Sequence, residues 1–360
     1  MSLTDAQLRE LVDNGVPILK ISLQGRDLRD WNLSGALFEG VDFTDAQLDG
    51  ARLDESVFSN CRFDRASLNE CYANAVFFNT CLMGGTHWRQ SLLFQAKWHE
   101  CDVRDADFGH AMMDETVFIG CCLAGVCYSG VQGREMTFMK SDLERADFSR
   151  AQLFKSTLFG LDLKTVNFQE ASLVNVIWLQ SDLSGQNLQG QDLERSVFTE
   201  AILDGVCLAS ANLVQAAFKS ASVKGADLRN SKGQFVVFAE ADLSGTRCDA
   251  AQFAQSVFVD AITDEASFVG ADLSMSVWHH ASARQCRFDR AQLNHTDFSY
   301  ADLYQARFDD ARLNRTRFHR ALSDDLNLKR RAGALEKDPE LYEAELWSET
   351  QRAMLFPQRD

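Results

Sequence analysis

The chain has 360 residues, is 46% hydrophobic and 24% charged, and carries a formal net charge of -16. That excess of acid argues against direct binding to a nucleic-acid backbone and favours a protein partner. Ten cysteines, with no basic segment leading into an apolar one at the N-terminus and no apolar run of membrane-spanning length, are expected to be buried thiols of a soluble cytoplasmic protein.

Residues 1–20 are expected to form an N-terminal helical cap. Thr4 with Gln7 three residues later has the form of a capping box; Leu8, Leu11 and Val12 follow at helical spacing, and Asn14-Gly15 and Pro17 stop the pattern. From residue 21 to residue 320 the period becomes five and never slips. Of its 60 units, 25 carry Leu and 20 carry Phe at the centre, Leu23, Leu28, Leu33 and onward to Phe318. Two positions before the centre stands Ala, Ser, Cys, Thr or Val in 53 of the 60. Neither a helix nor an ordinary strand has this period, so the backbone must turn a corner every five residues, with one small and one large side chain inside. All three prolines, Pro17, Pro339 and Pro357, lie outside the repeat, as expected if its N–H groups bond between stacked coils.

The units resemble those of the pentapeptide-repeat family, Ala-Asp/Asn-Leu-X-X; Ala-Asp-Leu stands at Ala226–Leu228, Ala241–Leu243, Ala271–Leu273 and Ala301–Leu303. The resemblance implies an all-β fold, a right-handed quadrilateral β-helix with four units per coil. The residues themselves show a 20-residue superperiod. Centres 38 to 318 at that spacing are aromatic except Leu158, and the column five residues earlier is mostly Leu, interrupted by Ala73, Met113, Gly133, Gly233 and Phe253. Fifteen coils at ~4.8 Å make a single solenoid domain about 70 Å long.

After residue 320 the pattern fades into a tail, 321–360. Asp338-Pro339 supplies an N-cap and first turn for a helix from Leu341 to about Leu355, expected to cap the last coil, since an open solenoid end invites strand addition.

No catalytic signature appears, and no enzymatic activity, cofactor, metal, small-molecule substrate or membrane contact is expected. Cys61, Cys71, Cys81, Cys101, Cys121 and Cys286 occupy small inward slots, and four of them stack as a linear ladder, unsuited to tetrahedral metal binding. His279-His280 is the one close histidine pair.

Two surface features depart from the pattern. Positions flanking the aromatic column are repeatedly apolar: Val117, Ile119, Met139, Phe159, Ile177, Leu179, Val197, Ala217, Val237, Ala239, Val257, Val259 and Val277. A contiguous apolar stripe marks an interface, for another protein or for a second copy in a homodimer. The second feature is charge. Asp142, Asp162 and Asp182 should stack as a like-charge column, whereas Arg312 and Arg317 belong to a basic region near the C-terminal end, an electrostatic contact for a partner. The leading expectation is a non-catalytic interaction scaffold. The family resemblance implies two alternatives: a DNA-mimicking modulator of a type II topoisomerase, although the loop that often interrupts such repeats is lacking, and an accessory or effector of a bacterial secretion system.

Overall fold

Each five-residue unit forms one straight segment and one corner, and backbone hydrogen bonding explains why. In the unit beginning at Val41, the N–H of Asp42 donates to Ile21 one coil back, while those of Phe43 and Asp45 donate to Arg62 and Asp64 one coil forward. Ala46 closes the corner by donating to Phe43. The fourth residue would be left over, and the second residue's side chain serves it: the Asp42 carboxylate accepts from the Thr44 N–H at 2.9 Å. Asp102, Asp147, Asp182, Asp242 and Asp297 do the same. Asp and Asn are therefore favoured at the second position because they cap the turn. Proline is excluded because almost every N–H is committed.

The fifth residue of every unit from Lys20 to Arg320, Thr165 alone excepted, is left-handed, with φ between +48° and +71°. A side chain there costs about 1 kcal/mol, which the forward hydrogen bond of the same residue offsets. Repetition places residues 20 apart in parallel register, as Ser22 on Asp42, Asp42 on Arg62 and Arg62 on Leu82.

The computed structural model describes residues 4–324 and 328–355. Residues 1–3, 325–327 and 356–360, assigned above to the two terminal segments, lie outside them. The fold is a parallel β-solenoid of about 16 turns with two short helices. The turn beyond the expected fifteen arises because short strands outside the repeat join its ladder at both ends.

Helix α1 (Asp5–Asp13) opens on the Thr4–Gln7 capping box. Strands β1 (Ile18–Leu19), β2 (Leu37–Glu39), β3 (Val57–Ser59), β4 (Phe77–Asn79), β5 (Lys97–His99), β6 (Val117–Ile119), β7 (Thr137–Met139) and β8 (Thr157–Phe159) form one parallel sheet in chain order. Later coils continue as single bridges. Near the C-terminus β9 (Thr316–Arg317) pairs in parallel with β10 (Ala334–Leu335), and α2 spans Pro339–Leu355.

The chain divides into two compact units, Met1–Leu203 and Asp204–Asp360. In the first, the expected aromatic column is present: Phe38 stacks on Phe58 at 4.9 Å and Trp98 on Phe118 at 4.5 Å. A second column, Trp88, Phe108, Tyr128, Phe148 and Phe168, faces it edge-on and was not anticipated. Alternating stacked and edge-to-face contacts suit the ring quadrupoles and fill the interior. In the second unit Phe218, Phe238, Phe258, Trp278, Phe298 and Phe318 line one side, and Phe268, Phe288 and Phe308 face them.

Two interruptions of the Leu column prove to be volume exchanges. A Cβ at Gly133 would lie 2.0 Å from the Met136 sulfur, and one at Gly233 would lie 2.6 Å from the Phe253 ring. An oversized neighbour fills the room that each glycine leaves.

Candidate protein-binding face

The apolar positions identified in the sequence fall on the outer side of the first aromatic column, and each unit carries its own stretch of them. In the first unit Val117 is in register with Thr137, Thr137 with Thr157, and Ile119 with Met139 and Phe159. Ile177 and Val197 continue the same column, with Leu179 beside them. The stretch begins earlier than the sequence reading had it, because Leu37, Val57 and Phe77 occupy the same column before Lys97 interrupts it. These side chains are half-buried, except Leu37 at 43% and Ile119 at 36% exposure.

In the second unit Ala217, Val237, Val257 and Val277 follow in register and end at Asp297, with Ala239 and Val259 alongside. Two residues missed from sequence enlarge this face. Phe235 and Met275 stand at the adjoining corner, 51% and 53% exposed. Both have left-handed backbones, an uncommon conformation for a bulky side chain. The available signal was a large apolar residue in the fifth position, which elsewhere is glycine, polar or small apart from Tyr300. Over the three coils 234–279, the outward residues of this face and its Phe235 corner, Gln234 to Ala239, Ala254 to Val259 and Ser274 to His279, include no Asp, Glu, Lys or Arg. Charge begins at the rim, with Lys219, Lys232, Glu240, Asp260 and Asp272. An uncharged core inside a polar rim is the anatomy of a protein interface.

The charged candidates behave differently. Asp162 and Asp182 stack, and Lys164 lies between them at 3.0 Å from each. Burial tends to raise the Asp182 carboxyl pKa, but the hydroxyl and N–H of Ser184, together with Lys164, hold it below the usual carboxylate value. Asp142 accepts the N–H of Glu144 at 2.9 Å. All three carboxylates thus serve corners. Arg317 lies 3.5 Å from Asp297, whereas Arg312 has no ion-pair partner among the described residues.

One region breaks the ladder. Leu161, Gln186 and Gln191 place large residues at small-slot positions with no compensating glycine; Leu161 is buried, whereas Gln186 and Gln191 are half-buried. Here Thr165 leaves the left-handed conformation, and the bridges Asp142–Asp162, Asn167–Asn187 and Ser172–Asp192 are missing among the described residues. Gln186 Nε2 donates to the carbonyls of Leu163 at 2.6 Å and Val166 at 2.9 Å, standing in for lost backbone bonds. A cleft of about 460 Å³ opens, lined by Asn167, Phe168, Gln169, Gln186, Asn187 and Gln191 among others. The seven units outside the small-residue rule contained this signal.

Helix α2 meets the last coils through Glu345 and Tyr342, the latter edge-on to the His319 ring. Glu345 accepts from the Tyr300 hydroxyl, lies 3.1 Å from His319 Nε2, and pairs with Arg320 at 2.5 Å. Leu341, Leu346 and Trp347 are left exposed. The ladder cysteines Cys61, Cys81, Cys101 and Cys121 are buried, their Sγ–H groups donating to carbonyls such as those of Phe38 and Phe58. Burial pushes the Cys71 and Cys286 thiols up to about 12, well away from nucleophilic use at neutral pH.

No curated protein shows significant similarity to the chain. Among solved structures, a trypsin-treated variant of QnrB1, a plasmid-mediated fluoroquinolone resistance protein, is 17% identical, with 65% of this chain and 90% of that one covered at a TM-score of 0.27. HetL, a pentapeptide repeat protein involved in heterocyst differentiation regulation in the cyanobacterium Nostoc, is 18% identical over 88% of this chain and 97% of that one, with a TM-score of 0.14. A pentapeptide repeat protein of the Arabidopsis thaliana thylakoid lumen is 18% identical over 46% and 74%, with a TM-score of 0.19. The family model for pentapeptide repeats matches residues 22–60, 180–213, 197–232, 211–247 and 279–322. With that match, the five-residue register and the coil geometry in agreement, the chain belongs to the pentapeptide-repeat proteins.

Proposed function

We propose that this protein is a non-catalytic scaffold that docks a protein partner on the apolar side of its coils. One observation carries the reading: on this side the outward positions, used elsewhere for turn-capping Asp and Asn, are given over to Val, Ile, Leu, Phe and Met. A solvent-facing strand gains nothing in turn geometry from such residues. Their burial against a partner returns roughly 25 cal/mol per Å² of apolar surface.

Modulation of a type II topoisomerase by DNA mimicry draws on the net charge of -16. The carboxylates behind that charge are partly committed to corners, and many face Arg or Lys: Arg104 at 2.6 Å from Asp102, Arg229 at 2.5 Å from Asp227, and Lys224 at 3.1 Å from Asp242. A mimic of duplex DNA needs its acid unpaired, so this reading ranks second.

The test is affinity purification from the native organism with wild type and with the variant Val197→Asp/Val237→Asp. Loss of a specific co-purifying protein supports the scaffold, and an unchanged set removes it. A supercoiling assay with purified gyrase tests the second reading, which fails if excess protein neither inhibits nor protects.

A further inference from the structure

The order of residues on the apolar face of the second unit indicates what occupies it; the inference rests on the reading of that face as an interface. Val237, Val257 and Val277 run up its middle in bridge register. Phe235, Gln255 and Met275 mark one bounding corner, and Glu240, Asp260 and His280 mark the other, stacked coil on coil by the hydrogen bonds from Phe235 to Ala254, Gln255 to Ser274, Glu240 to Val259 and Asp260 to His279.

Consider a two-fold axis lying in the plane of the face and running along the Val257 segment. It carries each coil onto the coil equally far on the other side. Phe235 then meets Met275 of a second copy, Val237 meets Val277, Glu240 meets His280, and Val257 meets itself. Each of the two protruding apolar residues gains the other as a partner, an aromatic ring against a polarisable thioether. At the opposite corner a carboxylate meets an imidazole. Asp260 sits on the axis and opposes its own copy, but at an exposed rim where a single charge pair is worth little. A face built for an unrelated protein has no reason to be paired in this way about its own middle, whereas an isologous interface requires it.

We propose that the Val237–Val277 face binds a second copy of this chain, with the stacks of coils in the two copies running antiparallel. The charge-free core, three coils by six residues, measures about 14 by 20 Å at the strand and residue spacings of a β-sheet. That is less than half of the ~800 Å² per partner of a standard stable interface, so a reversible dimer with a dissociation constant of micromolar order is expected.

Sedimentation equilibrium from about 1 to about 100 µM brackets that affinity. Wild type is expected to pass from monomer to dimer across the range, and Phe235→Asp/Met275→Asp is expected to stay monomeric with an unchanged thermal unfolding profile. Register is tested by oxidative cross-linking. Val257→Cys, opposite itself, should yield a covalent dimer, whereas Val237→Cys and the wild type, with its native thiols, should not. A wild type that stays monomeric throughout overturns the proposal, as does a dimer that survives the double aspartate variant or that Val257→Cys fails to trap. If wild type is monomeric yet Val197→Asp/Val237→Asp loses a different protein from the native organism, the second copy is ruled out and the scaffold reading stands. If nothing is lost, both fall.

Discussion

Turns 221–300 of the second unit and turns 161–191 of the first are built from the same five-residue unit, yet one wall is closed and the other is open. In the closed wall the inward small slots hold Ala, Ser, Cys, Thr or Val, and bridges such as Ser222–Asp242, Asp242–Ile262 and Ile262–Ser282 follow without a gap. In the open wall three slots carry large residues, and three bridges and one left-handed corner are lost together among the described residues. Size alone does not open a coil, because Met136 is as large as Leu161 and is absorbed by Gly133. What matters is whether the volume added at one slot is removed at its neighbour.

The difference between these regions can be broken from either side. Transplanting the fault, as Ala266→Gln/Ala271→Gln, should have the largest effect. Overpacking two slots costs about 2–6 kcal/mol at roughly 1–3 kcal/mol each. A lowered denaturant midpoint is expected; an unchanged one would mean that slot size does not control the wall. Repairing the fault, as Gln186→Ala/Gln191→Ser, should act in the opposite direction and more weakly, by about 0.5–2 kcal/mol, read from the same midpoint. Without mutation, amide hydrogen exchange should find residues 163–191 exchanging faster than 237–277, since local opening follows the density of backbone bonding. Equal protection in the two stretches would contradict the difference.

The smallest effect is on pH dependence. The Arg104 guanidinium holds the Asp102 carboxyl below its usual value of 3.8, and Arg229 does the same for Asp227. A carboxylate with a depressed folded pKa contributes stability that is present above the unfolded pKa and lost as pH falls through the folded one. The closed wall, lined by such caps, should therefore keep its thermal midpoint from neutral pH down to about 4 and lose it below. Asp227→Asn, which keeps an acceptor for the Arg229 N–H without the charge, should flatten that acid limb by a small fraction.

The repeat made most of the fold legible. Period five required a corner every fifth residue, the superperiod of 20 revealed stacked columns, and Thr4–Gln7 marked the first helix. The opposing column Trp88–Phe168 was overlooked because aromatic rings in it are interrupted: it is Leu at 28, 48 and 68 and again at 188, 208 and 228 before Phe268, Phe288 and Phe308. Asp142, Asp162 and Asp182 looked like a surface charge feature because the second position points outward; only the hydrogen bonds show those side chains turning back onto the fourth residue's N–H. Phe235 and Met275 were missed for a related reason. The flanks of the aromatic column were read, but the corner beside them was not, and a corner residue projects further from the wall than a strand residue does.

The central claim is that binding resides in the apolar face and that the acidic columns serve the corners. Asn at the second position also accepts the turn N–H, as Asn32 does from Ser34 at 3.2 Å, so Asp142→Asn/Asp162→Asn removes charge while retaining the cap. The direct measurement compares partner recovery from the native organism for that variant and for Val197→Asp/Val237→Asp. Retention by the first and loss by the second is the predicted result; loss by the first and retention by the second would contradict the account.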